Sequence, residues 1–213
     1  MSDTEAVISH IREAFAGAAY PGDEFLQGSF DGCEPYEVVS PFRGRRDWQA
    51  VDAQFLDAHY DALSFFSEGG FRFFLPAYLV ADLQDKLQTA DPVFHVTHGF
   101  SDASVEVPTK TRTFIRRFGK STLVNPRRYG AMTSYDYARY RLSVFTKEEA
   151  QAIVAYLTYK RDSDPHKLNT RAIDGALSLY WLDRAANAPA RESLEGHLEQ
   201  EANFLAGIDK YRE

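Results

Sequence analysis

The sequence predicts a mainly α fold of about six helices with a small β element in the middle, α+β being the runner-up. Three observations carry this prediction. Apolar residues recur at helical spacing near both ends of the chain, and a capping-box spacing opens two of those stretches. The most apolar run, Phe71 to Ala81, is long enough for a buried helix. Between them, residues 99–141 alternate β-branched, aromatic and cationic side chains in a way no helix requires.

The first helix follows from Ser2 and Glu5, which have capping-box spacing, and from Val7, Ile8, Ile11, Ala14, Phe15 and Ala18 on one stripe. It is expected to stop before Tyr20-Pro21-Gly22, a turn signal. Residues 23–46 hold five Gly or Pro breakers and read as loop, with a short strand at Tyr36–Val39. Asp47 is a plausible N-cap for a helix through Trp48, Val51, Phe55, Leu56, Tyr60 and Leu63. Ser67 then caps a further helix from about Glu68 to Leu87. Pro76 lies inside it and removes one helical hydrogen bond, so a kink or a junction of two helices is expected there. The surroundings of Arg72 are apolar, which demands a charged partner, and Asp82 or Asp61 is the expected one.

Val93–His98 alternates and reads as a strand after Asp91-Pro92. Val105 to Thr113 suggests another, and Tyr135, Tyr137, Arg139 and Arg141 a further one, so that this stretch reads as either a β-hairpin or a mobile loop. Thr146 and Glu149 repeat the capping box ahead of Ala150, Ile153, Val154 and Leu157. Asp164-Pro165 opens a helix that continues through Tyr180 and Trp181 to about Ala186. A last helix from Pro189, striped by Leu194, Leu198, Ala202, Leu205 and Ile208, completes a C-terminal helical hairpin over 165–210. The whole chain, 1–213, is expected to form a single globular domain with a basic, Tyr-rich insertion at about 99–141.

Four segments carry a family resemblance. They are Tyr20-Pro21-Gly22, Ala62-Leu63-Ser64-Phe65-Phe66, Phe71-Arg72-Phe73-Phe74-Leu75-Pro76-Ala77-Tyr78-Leu79, and Phe145-Thr146-Lys147-Glu148-Glu149-Ala150. Over about residues 7–160 the chain resembles an uncharacterised bacterial family carrying only a domain-of-unknown-function label. The resemblance implies no activity, and residues 99–141 look like an expansion relative to that family.

Charge is unevenly distributed. Lys110–Arg141 holds nine basic residues and one acid, a net of +8 in 32 residues; the remainder holds 15 basic and 30 acidic residues, a net of −15. Tyrosines interleave with these cations, as they do in protein hot spots and in single-strand nucleic-acid sites. Arg112, Arg116, Arg117, Arg127, Arg128, Tyr135, Tyr137 and Arg139 are therefore the candidate partner-binding residues. The overall acidity repels a polyanion beyond the patch, which ranks a protein partner above nucleic acid.

The favoured reading is a small soluble binding protein of the adaptor or toxin-neutralising kind. Its alternative is an enzyme or small-ligand binder with a pocket near Arg72, Tyr78 and His95. No catalytic residues are assigned, because no nucleophile elbow, phosphate loop, dinucleotide fingerprint or zinc-protease motif occurs. No metal and no cofactor are assigned either: His95 and His98 on a strand point to opposite faces. Cys33, flanked by Asp31 and Glu34, reads as an inert loop thiol. Arg72 and Asp82 bound the apolar run well short of a membrane span, and Asp3 and Glu5 are wrong for a secretory leader, so a cytoplasmic location is expected.

Overall fold

A computed structural model describes residues 3–30, 32–100, 104–108, 110–117, 123–124 and 132–188. Its body is built from helices around one contiguous core. In chain order these are α1 (Asp3–Ala14), α2 (Glu34–Val39), α3 (Ala53–Ala58), α4 (Ala62–Phe65), α5 (Glu68–Leu83), α6 (Pro92–Thr97), α7 (Ser134–Arg141), α8 (Lys147–Ser163), α9 (Thr170–Ala176) and α10 (Leu182–Asn187). Short 3-10 turns at Asp23–Phe25, Ser40–Phe42, Trp48–Ala50 and Leu142–Val144 join them, and a π-helical turn, Leu177–Trp181, joins α9 to α10.

Helix α5 is the centre. Ser67 caps it by accepting from the Gly70 amide at 3.0 Å, and 14 of its 16 residues are buried. A helix apolar on every side has to be surrounded, and α1, α3, α4 and α6 pack against it. It runs unbroken across Pro76 and ends at Leu83, where Asp85 takes a positive φ of 56°. Helix α8 lies against α1, α9 and α10 and closes the other side. Its start is the capping box expected from sequence: Glu149 N–H donates to Thr146 Oγ1 at 3.3 Å, and Thr146 N–H to Glu149 Oε2 at 2.9 Å.

Aromatic rings fill the space between α5 and the N-terminal loops. Phe42 meets Phe55, Phe66 and Phe74 edge-on at centroid separations of 4.9, 4.9 and 5.0 Å. Each such ring contributes about 1.5–3 kcal/mol through burial, with up to about 1.5 kcal/mol more from edge-on geometry. At the far end Trp181 is fully buried and donates from Nε1 to the Val96 carbonyl at 2.7 Å, tying the π-helical turn to α6.

Arg72 is 9 % exposed and Glu149 1 % exposed. They pair in a two-pronged bridge: Arg72 Nε donates to Oε2 at 2.9 Å and Nη2 to Oε1 at 2.7 Å. The partner is therefore neither Asp82 nor Asp61. Asp82 serves α8 instead, accepting from Tyr156 OH at 2.6 Å and pairing with Lys160 at 2.9 Å.

The expected fold class needs correction. The body is all-α, made of more and shorter helices than the six or so expected, and neither a β element within the core nor an α+β arrangement describes it. Three segments read as strands are helices: Tyr36–Val39 in α2, Val93–Thr97 in α6, and Tyr135–Arg141 in α7. In α6, Asp91 accepts from the Phe94 amide at 3.1 Å and Pro92 occupies the first turn, a start signal that outweighs β-branched composition. What pairs as strand are two short antiparallel ladders, β1 (Ser104–Pro108) with β2 (Thr113–Arg117) and β3 (Leu123–Val124) with β4 (Met132–Thr133). Each has two strands, too few to make a layer. All core residues with described side chains lie outside them.

Other boundaries move less. Asp47 caps a 3-10 turn through the Gln49 amide at 2.9 Å, and Asp52 restarts the helix as α3. Residues after Asp164-Pro165 form a turn, and α9 begins only at Thr170. Ser2 and the helix expected from Pro189 onward lie outside the described residues. No helix among the described residues is long and apolar enough to cross a membrane.

Gly28 tests this packing. Its amide donates to Phe65 O at 2.7 Å, and a Cβ there would stand 2.6 Å from the Phe66 carbonyl carbon and 2.7 Å from Ser67 N. Gly28→Ala is expected to destabilise by about 1–3 kcal/mol, read as a lower urea midpoint with unchanged slope.

Candidate functional site

The basic segment is split between a hairpin and a helix. β1 and β2 pair so that Arg116 stands opposite Val105 and Arg117 opposite Ser104. Lys110 and Arg112, in the connection between the two strands, are exposed. Arg127 and Arg128 lie outside the described residues. Tyr135, Tyr137 and Arg139 are on α7, where the expected strand would have lined them up and the observed helix does not. The i, i+4 spacing brings two of them together instead: the Arg139 guanidinium lies 5.6 Å from the Tyr135 ring centroid. Arg139 is exposed, and Tyr135 and Tyr137 are half-buried.

Not every cation of the segment faces outward. Arg141 donates from Nη2 to the Leu63 carbonyl and from Nη1 to Tyr137 OH at 2.9 Å, with its guanidinium 4.5 Å from the Phe71 ring centroid. It anchors α7 to α4 and α5. This interior cation also acts on His95, whose pKa falls to about 3 through burial first and the Arg141 charge second.

The alternative pocket does not assemble. Arg72 is spent on Glu149, Tyr78 OH donates to the His59 carbonyl at 2.7 Å, and His95 sits in α6. None of the three lines any of the described clefts. His98 has moved off the helix and its ring tilts against Phe94 at 4.8 Å. No group of three potential metal ligands occurs among the described residues. Cys33 is an exposed free thiol preceding α2.

Several clefts are lined by described residues, and two of them have mainly polar walls. The larger, about 1200 Å³, is an open groove between Trp48–Asp57 and the end of α5. Its far wall is a loop held by one carboxylate: Asp57 Oδ1 accepts from the amides of Gln88, Thr89 and Ala90 at 2.9, 2.8 and 3.0 Å. The smaller, about 520 Å³, lies between α7 and the π-helical turn and is lined by Tyr135 and Arg139 together with Tyr180, Asp183 and Arg184. Sequence reasoning read these last three only as helix. The available signal was the i, i+4 pair Tyr180 and Arg184 beside a buried Trp181.

The Asp57 staple makes a pH-dependent prediction. Three backbone donors hold its carboxyl below the usual range, so the stability it contributes is complete above the unfolded value near 3.8 and is lost as pH falls through the lower folded value. Asp57→Asn is expected to lower the urea midpoint at pH 7. The gap from the unsubstituted protein should narrow as pH falls below about 4; a gap that stays constant from pH 7 into that range contradicts the assignment.

A search of curated proteins and a search of solved structures each found no match. A comparison with protein families matched residues 3–123 to a family of unknown function (DUF6714). That stretch takes in the first three of the four resembling segments; Phe145–Ala150 lies beyond it, and the match ends inside the segment read as an insertion. Matched over more than half its length, from α1 through the β1–β2 hairpin, the chain belongs to the family of unknown function DUF6714.

Proposed function

We propose that this is a binding protein of the bacterial cytoplasm, of the adaptor or toxin-neutralising kind, that meets an acidic face of a protein partner through its basic segment. The observation that carries the reading is charge segregation: +8 in Lys110–Arg141 against −15 elsewhere. Contact residues are Arg112, Arg116, Arg117, Arg127, Arg128, Tyr135, Tyr137 and Arg139.

Three features support it. Arg116 and Arg117 belong to a two-stranded hairpin, too small to form a layer of its own. Lys110 and Arg112 are exposed where the hairpin turns, a position from which cations steer a partner into contact. Arg139 over Tyr135 is the aromatic and guanidinium pairing that protein interfaces favour at their centres. A cytoplasmic setting accords with a single cysteine, Cys33, which allows no internal disulfide.

The experiment compares the unsubstituted protein with a variant carrying Arg112, Arg116, Arg117, Arg127 and Arg128 changed to Glu. Each is immobilised and used to capture partners from lysate of the native organism, after nuclease treatment and with circular dichroism confirming the fold. A protein captured by the first and lost by the second is expected, with affinity reduced at least about tenfold. Identical capture by both contradicts the reading. In a parallel sample without nuclease, retention of nucleic acid alone, with an affinity that falls steeply with salt, would move the assignment to a nucleic-acid binder.

A further inference from the structure

The smaller cleft has a property that the partner reading does not use. Tyr180 stands on the π-helical turn Leu177–Trp181, and turns of this kind widen a helix locally and recur at ligand sites. Its ring is fixed by stacking on Phe100, with centroids 5.1 Å apart and planes 15° from parallel, and by an edge contact with Trp181 at 5.1 Å. Only 9 % of the residue is exposed, and its hydroxyl is buried with no hydrogen-bond partner among the described residues. A buried hydroxyl left unpaired costs about 1–3 kcal/mol, so a ligand atom that accepts from it recovers that free energy.

The hydroxyl lies among the charges of the cleft. Burial raises its pKa to about 12 against the opposing pull of Arg184 and Arg139, while Asp183 adds to the rise; all three side chains line the same cleft. At neutral pH the phenol is thus a proton donor. Arg184 donates to the Ser143 and Phe145 carbonyls, which leaves its charge uncancelled because both acceptors are neutral. Asp183 accepts from Asn187 Nδ2 at 2.9 Å. Arg139 has no carboxylate partner among the described residues, and its place over the Tyr135 ring leaves its N–H groups in the guanidinium plane available. Two guanidiniums and one carboxylate leave this cleft with a net +1.

We propose that the cleft is a binding site for a single carboxylate carried on a flat apolar body. The carboxylate accepts from Arg139 and from Tyr180 OH, and the body lies against Leu179, which is 40 % exposed, and the Tyr135 ring. A monoanion fits better than a phosphate, because a second negative charge would meet Asp183. The volume of about 520 Å³ accommodates a small aromatic acid or the terminal residue of a peptide. The inference goes beyond the partner reading: it shares Arg139 and Tyr135 with it, but adds Tyr180 and a small ligand and draws on none of the five arginines reversed in the partner test.

The test titrates 4-fluorobenzoate and 4-fluorobenzamide into the full-length protein, followed by fluorine NMR. Saturable binding of the acid, and not of the amide, is expected. Arg139→Gln should weaken it at least about tenfold, and Tyr180→Phe by about threefold to tenfold. Tyr180→Phe deletes an unmade hydrogen bond, so its Tm should hold or rise; a fall of several degrees would show that the hydroxyl has a partner and overturn the site. A second arm uses acetyl-Ala-Phe as free acid and as amide. Tighter binding of the free peptide acid than of 4-fluorobenzoate assigns the site to a protein's chain end, and the reverse order to a small metabolite. No saturable binding of either acid, equal binding of acids and amides, or undiminished binding by Arg139→Gln each overturns the proposal. Benzoate binding with partner capture lost, or capture intact without benzoate binding, tells failure of one reading from failure of the other.

Discussion

Arg72 and Glu149 hold each other across the middle of the helical body, and the two halves of the packing meet at that bridge. Arg72 belongs to the central helix α5, and Glu149 to the first turn of α8. Moving either ion out of water alone is prohibitive; the pair is tolerable because geometry is two-pronged and the remaining acceptor capacity of Glu149 takes the Thr146 amide. One carboxylate thereby sets the register of α8 against α5 and closes the capping box that starts α8. Leaving a single partner in place strands a charge, so the register of these helices is specified more sharply than apolar packing alone would do.

Around that bridge the body satisfies its own polar groups. Asp82 serves Tyr156 and Lys160, Tyr78 serves His59, Trp181 serves Val96, and Arg141 serves Leu63. Arg72 and Tyr78 are engaged in this way, and with His95 they do not form a pocket. The proposed binding features lie at the margin instead, at the turn of the β1–β2 hairpin and beside α7, where exposed cations and, among the described residues, one unpaired phenol remain.

Local signals were legible and distant pairings were not. Ser67 and Thr146 announced α5 and α8 because a cap acts within three residues of itself. Tyr36–Val39, Val93–Thr97 and Tyr135–Arg141 misled for one reason: side-chain alternation in a short segment suits a strand only if a neighbouring strand is present to pair with it. Here the neighbours are helices, and tertiary context decided. Asp91-Pro92 held the contrary signal and deserved more weight than the valines after it. Arg72 required an acid, but the acid stands 77 residues away, and nothing local singles out Glu149 beyond its cap. In the candidate site, Tyr135 and Arg139 read from sequence as strand neighbours, and they stand instead one helical turn apart on α7. Tyr180 escaped because an unpaired hydroxyl is a property of packing, invisible in composition.

The account stands most directly on the coupling between Arg72 and Glu149. A double-mutant cycle with Arg72→Met, Glu149→Gln and both together, followed by urea unfolding at pH 7, measures it. Each single change is expected to cost about 3–5 kcal/mol and the double change clearly less than their sum, giving a coupling of at least about 2 kcal/mol. Additivity within about 0.5 kcal/mol would mean that the two side chains do not depend on each other, and that the α5–α8 register is set by apolar packing alone.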